Sequence, residues 1–162
     1  MKKITYKEKI VAPNNIPHLI ECLRAEKKRV ATINGSFDLL HAGHLYILSK
    51  AAEMADVLIV ALNSDASIKL YKSPTRPIIP LTYRLEMMAA LGFVDFVTWF
   101  DETDPINLLK IIKPDVHVNG GEYGSNCIEA QAVAEGGGIL HLVDRIDGLS
   151  TTEILEKIKC VS

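Results

Sequence analysis

The feature that most constrains this chain is an alternation of two kinds of segment. Short apolar runs rich in β-branched residues recur at residues 30–34, 57–62, 96–99, 115–119 and 139–143. They are apolar at consecutive positions, the pattern of a strand buried on both faces. Segments with helical spacing lie between them. Ile16, Leu19, Ile20 and Leu23 predict an N-terminal helix, and Leu45, Leu48 and Ala52 predict one after the first strand. Leu85, Met88, Ala89 and Gly92 predict another that ends at the glycine. Asp104-Pro105 has the chemistry of a helix start, with Ile106, Leu109 and Ile112 as the apolar face. Ser150-Thr151-Thr152-Glu153 is a capping box before a last helix carrying Ile154, Leu155 and Ile158. Doubly buried strands alternating with helices require a parallel sheet covered on both sides.

The expectation is a single doubly wound, Rossmann-like α/β domain over residues 1–162, with about five parallel strands and helices on both faces. Its N-terminal helix covers about residues 16–27 and its core about residues 29–159. A chain of 162 residues, 48% hydrophobic, has enough apolar side chain for a real core. A net charge of −2 argues against nucleic-acid or membrane surfaces as partners. Cys22, Cys127 and Cys160 form no CxxC or Cys/His cluster and read as thiols in a reducing compartment. No apolar run suits a secretory signal or a membrane span, so a soluble cytoplasmic protein is expected.

In a doubly wound fold, ligands bind beyond the carboxyl ends of the strands. The loop after the first strand reads Asn34-Gly35-Ser36-Phe37-Asp38-Leu39-Leu40-His41-Ala42-Gly43-His44. Two histidines three apart at a helix start share one face. Gly43 lets a ligand approach the backbone, and the helix terminus favours anions. On spacing, the pair is open to phosphate binding, to half a zinc site, or to packing and capping. His18, His117 and His141 are scattered, so no further metal ligand is at hand and no metal site is expected.

The second strand ends at Asn63-Ser64-Asp65. Residues 68–80 then carry Pro74, Pro77 and Pro80, read as an irregular, stiffened flap. Lys69, Lys72 and Arg76 concentrate positive charge there, either to close over phosphates or as a solvated loop. Asn119-Gly120-Gly121 ends the fourth strand, and Arg145 precedes the hydroxyl cluster Ser150, Thr151 and Thr152.

These residues resemble known ones. The segment from Asn34 to His44 is similar to the HxGH signature of the cytidylyltransferase-like nucleotidyltransferase superfamily. That resemblance implies that His41 and His44 stabilise the transition state at a triphosphate, with Asn34, Gly35, Ser36, Phe37, Asp38 and Gly43 around the nucleotide. The flap resembles that of bacterial heptose-1-phosphate adenylyltransferases, with Ser73 where glycine is usual. Lys72 is then a phosphate ligand, and Asp65 and Arg76 face the substrate. Val94-Asp95, Phe100-Asp101-Glu102, Lys113-Pro114-Asp115 and residues 118–123 extend the resemblance over most of the chain. Asn119 stands where that family usually has lysine; with Gly120 and Glu122 it is assigned to the nucleotide. Arg-x-x-Gly-x-Ser-Thr-Thr, from Arg145 to Thr152, is similar to the second signature of the superfamily, where the arginine and hydroxyls hold the triphosphate.

The resemblance implies transfer of AMP from ATP to a heptose 1-phosphate, with Mg2+ carried mainly by the triphosphate. It further implies a homodimer and a separate sugar kinase that supplies the acceptor. The alternatives are a cytidylyltransferase acting on glycerol 3-phosphate or another alcohol phosphate, a nucleotide-binding regulator, and a zinc-binding structural module. If Arg145 clamps phosphate through its planar fork, Arg145→Lys keeps the charge and still loses about 1.5–3 kcal/mol of binding. Triphosphate KM and kcat/KM measured for that variant check this, and unchanged values contradict it.

Overall fold

The computed structural model describes residues 5–144 and 150–161. Five parallel strands form one sheet in the order β3-β2-β1-β4-β5, where β1 is Val30–Gly35, β2 Val57–Asn63, β3 Phe96–Phe100, β4 Val116–Gly120 and β5 Ile139–Val143. The chain order reverses between β1 and β4, which makes the crevice beyond those two strands the switch point. The helices are α1 (Ile16–Ala25), α2 (Ala42–Ala52), α3 (Asp65–Tyr71), α4 (Leu81–Ala89), α5 (Ile106–Ile112), α6 (Ile128–Glu135) and α7 (Thr151–Val161). The expected doubly wound, Rossmann-like architecture is what forms. Among the described residues, no helix is long and apolar enough to cross a membrane.

The doubly buried strands explain the two cores. Ala31, Ile33, Leu58, Val60 and Leu62 face one side and pack with Leu48 and Ala51 of α2 and Leu85 and Met88 of α4. Val30, Val57, Ile59 and Ala61 face the other side and pack with Ile16, Ile20 and Leu23 of α1 and Leu108 and Ile112 of α5. Every residue of β2 is buried, as the central run of apolar residues requires. At the amino ends of the strands, carboxylates accept backbone N–H groups: Asp56 from Arg29, Asp95 from Leu58 and Asp115 from Val30.

Three elements differ from the reading of the sequence. The flap is not irregular throughout: α3 occupies its first part, with Ser64 as N-cap accepting from the Ser67 N–H at 3.2 Å. Proline excludes helix at its own position and disfavours it at the residue before. Pro74 therefore leaves residues 65–71 free to wind, and only residues 72–80 are irregular. The stretch around Leu85 begins earlier, at Leu81, and ends at Ala89 rather than at Gly92. A further helix, α6, lies where the spacing predicts no element; its buried apolar residues are only Ala132 and Val133.

A buried guanidinium joins these parts. Arg84 is 1% exposed. Its Nε donates to Ile79 O, its Nη1 to Ser36 O and Asn63 O, each at 2.8 Å, and its Nη2 to Asp65 Oδ1 at 2.7 Å. The end of β2, the loop after β1, the flap and the start of α3 are thus tied to one side chain. Asp65 is partly exposed, so the main cost of losing the guanidinium is three backbone carbonyls left without this donor, roughly 3–5 kcal/mol together. Arg84→Met is expected to lose about that much stability in urea denaturation. Arg84→Lys should recover less than half, since one ammonium does not span four acceptors.

Candidate functional site

A cleft of about 430 Å³ opens at the switch point. Its floor is the end of β1, where Asn34, Gly35, Ser36 and Phe37 line it. His41, Gly43 and His44 come from the first turn of α2, and Lys72 comes from the flap. The far wall is Asn119, Gly120 and Glu122 at the end of β4, and Ser150, Thr151 and Thr152 open α7. Most of the residues picked out from sequence therefore meet in one place. Arg145 lies outside the described residues.

The histidine pair is built by helix capping. His41 is the N-cap of α2 and His44 is its third residue, in a reciprocal capping box. The His41 N–H donates to His44 Nδ1 at 3.3 Å, and the two rings stack with centroids 3.7 Å apart. Because Nδ1 of His44 accepts, the proton of its neutral ring sits on Nε2. Phe37 meets the His44 ring edge-on at 5.3 Å. The capping role and a ligand role are thus compatible: the cap fixes the rings at the mouth of a helix terminus that favours anions.

Lys72 Nζ donates to Ser36 Oγ at 2.8 Å, which brings the flap cation onto the β1 loop. Burial, helped by the Arg76 and Arg84 charges, lowers its pKa from the ordinary 10.5. Thr151 Oγ1 donates to Asp38 O at 3.1 Å, so α7 is fastened to the same loop, and Ser150 Oγ caps the Glu153 N–H at 3.1 Å. On the far wall, the Glu122 carboxylate lies over Gly120, where a Cβ would displace it.

Three residues read as facing a ligand are engaged elsewhere. Asp38, 1% exposed, accepts from Arg76 Nε at 2.9 Å, from the Ile78 N–H at 2.8 Å and from the Ile79 N–H at 2.9 Å. It sits between Phe37 and Leu39, both at positive φ, and its bonds to the flap hold that strained turn. Arg76 is consumed by the same carboxylate, with Nη2 at 2.8 Å. Asp65 takes Arg84 and the Leu81 N–H at 2.9 Å. Charge in a loop does not say whether a side chain points to a ligand or to an internal partner. Arg84 and Glu129 went unnoticed in the sequence, because each lies within a helix and no motif marks it. Among the described residues, no group of three or more His, Cys, Asp or Glu is placed to hold a metal.

Comparison with known proteins gives the family and the fold. Residues 32–157 match the family model described as cytidylyltransferase-like. The bifunctional protein HldE of Hahella chejuensis is 44% identical over 137 residues, covering 84% of this chain and 29% of the relative. The bifunctional proteins HldE of Syntrophotalea carbinolica and Campylobacter fetus are 40% and 43% identical, covering 96% and 98% of the chain. They are themselves covered over 32% and 33% of their lengths, so the chain spans about a third of the curated relatives it matches. Among solved structures, a lipopolysaccharide core biosynthesis protein from Thermoplasma volcanium aligns with TM-score 0.59 at 24% identity, covering 74% of this chain and 97% of that one. A pantoate-beta-alanine ligase from Francisella tularensis aligns with TM-score 0.64 at 16% identity, covering 93% and 76%. At those identities the likeness is one of fold.

Asp38 gives the site a measurable acid limit. Burial alone would raise its carboxyl, but the N–H groups of Ile78 and Ile79 and the Arg76 guanidinium outweigh that and hold it below the ordinary 3.8. In the unfolded chain the group keeps its ordinary value, so at low pH the unfolded state binds the extra proton. Its contribution is complete above pH 3.8 and is lost as pH falls through the lower folded value. Asp38→Asn is therefore expected to be less stable at neutral pH and to show a shallower acid limb below about pH 4 in thermal melts. Parallel limbs in the two proteins contradict this.

Proposed function

The chain belongs to the cytidylyltransferase-like family, and on that premise we propose that it transfers AMP from ATP to a heptose 1-phosphate, releasing pyrophosphate and forming ADP-heptose. The observation that carries this reading is the convergence of His41, His44, Lys72 and the first turns of α2 and α7 on one cleft. Each is a donor or a positive end, and a triphosphate with a sugar phosphate is the ligand pair that needs so many. The similarity to bifunctional HldE proteins supports a heptose phosphate as acceptor.

The acceptor phosphate oxygen attacks the α-phosphorus in line, and the pyrophosphate oxygen leaves opposite. No covalent enzyme intermediate is required. His41 and His44 donate to the charge that grows on the transferring phosphoryl group. Lys72, aligned by Ser36, brings the acceptor phosphate up to the α-phosphorus and offsets the repulsion between two anions. Ser150, Thr151 and Thr152 bind the pyrophosphate portion at the start of α7, Thr151 through its backbone N–H, and the resemblance assigns the Arg145 guanidinium to the same phosphates. The donor set suits a magnesium ion that arrives with the triphosphate, because the Asp38 carboxylate is already saturated by Arg76 and two amides. Such an ion neutralises charge on the triphosphate. A second reading, CTP with an alcohol phosphate, is favoured by the hydroxyl cluster at α7.

Nucleoside triphosphates crossed with sugar 1-phosphates and glycerol 3-phosphate, read by pyrophosphate release, separate these readings; the ATP and heptose 1-phosphate pair should turn over fastest. His41→Ala and His44→Ala should each reduce kcat by roughly 10²–10³-fold with the fold intact, as loss of a transition-state donor does. Near-normal turnover in either variant removes the basis of the reading.

A further inference from the structure

The walls of the cleft differ in character. The histidine and Lys72 side offers donors and positive ends. The β4–β5 side offers Glu122, Asp144 and Asn119. Behind Asn119 lies Glu129, 7% exposed, at the second position of α6. Asn119 Nδ2 donates to Glu129 Oε2 and to Cys127 Sγ, each at 3.4 Å.

This contact decides which end of the amide meets a ligand. In this pair the amide nitrogen donates and the carboxylate oxygen accepts. Nδ2 must therefore turn toward Glu129, and Oδ1, at the other end of the amide, is left to the cleft that Asn119 lines. The alternative orientation would set an amide oxygen against a carboxylate. Through Oδ1, Asn119 gives this wall a hydrogen-bond acceptor.

We propose that Glu129 is a positioning residue that makes Asn119 a hydrogen-bond acceptor, and that the β4–β5 wall takes an uncharged donor group of a substrate and turns phosphate away. The donor is a hydroxyl of the acceptor sugar or the amino group of the nucleobase. This inference rests on the nucleotidyl-transfer reading above and deepens it. It gives the two substrates a polarity in the cleft: phosphates against α2, α7 and Lys72, neutral hydroxyl or amino groups against β4.

Glu129→Gln tests it, because a neutral amide of the same shape both donates and accepts and no longer fixes Asn119. Asn119→Leu removes the acceptor, and Glu129→Asp keeps a carboxylate. Steady-state kinetics with ATP, ITP and heptose 1-phosphate separate the two donors, since ITP replaces the purine amino group with a carbonyl. If the base supplies the donor, Glu129→Gln and Asn119→Leu abolish a preference for ATP over ITP and leave the heptose 1-phosphate KM unchanged. If the sugar supplies it, those variants raise the heptose 1-phosphate KM by about fivefold to tenfold, the cost of one hydrogen bond, with the ATP to ITP ratio unchanged. In either case kcat moves less than KM, and Glu129→Asp restores part of the effect. The proposal is overturned if both KM values and the ATP to ITP ratio stay within twofold of wild type in Glu129→Gln and Asn119→Leu, or if only kcat falls. Wild-type protein that releases no pyrophosphate with any substrate pair refutes the transfer reading instead. Calorimetric binding of ATP, ITP and heptose 1-phosphate to wild type and Glu129→Gln then tests the wall by itself, and equal affinities overturn it.

Discussion

The guanidinium of Arg84 is the interaction on which the rest of the site depends. Backbone carbonyls of Ser36 just after β1, Asn63 at the end of β2 and Ile79 in the flap converge on this one side chain. Buried carbonyls left without donors would each be costly. A planar cation with donors along its edge meets all three and pairs with Asp65 as well. The charge is tolerable only because it is fully satisfied. One buried side chain thus determines where the β1 loop, the flap and α3 sit relative to one another, and the cleft is the space they leave.

A second carboxylate completes the frame. Asp38 binds the flap through Arg76 and two amides, while its own carbonyl receives Thr151 from α7. Two of the cations near the site are therefore structural, and Lys72 carries the flap's charge into the cleft. This division has an electrostatic consequence. Arg76 and Arg84 lower the proton affinity of Lys72 in addition to its burial, and Asp38 opposes them in part.

Much of this was readable beforehand. The five strands were recognisable because parallel strands buried on both faces need apolar residues at every position, a demand that is local. The histidine loop was recognisable because a capped helix start after a strand is also local chemistry. Helix α3 is hard to see in the sequence because it is a short helix capped by Ser64 and followed at once by a proline-rich stretch. The helix α6 was missed because its buried face is small. The resemblance points Asp65, Arg76 and Asp38 toward a ligand, and local spacing does not show the partners that engage them. The folded chain pairs Asp38 with Arg76 and Asp65 with Arg84.

What the sequence determined by itself was the layering, the strand positions and the loops that gather at the switch point, because periodicity, capping and turn chemistry act within a few residues. Only the tertiary structure decided which charges face inward and which way the Asn119 amide points. Those outcomes depend on partners far apart in the chain: Arg84 with Ser36, Arg76 with Asp38, and Asn119 with a glutamate on the next helix. A salt bridge or an amide orientation is a property of a pair in space, and local spacing carries no information about the second member.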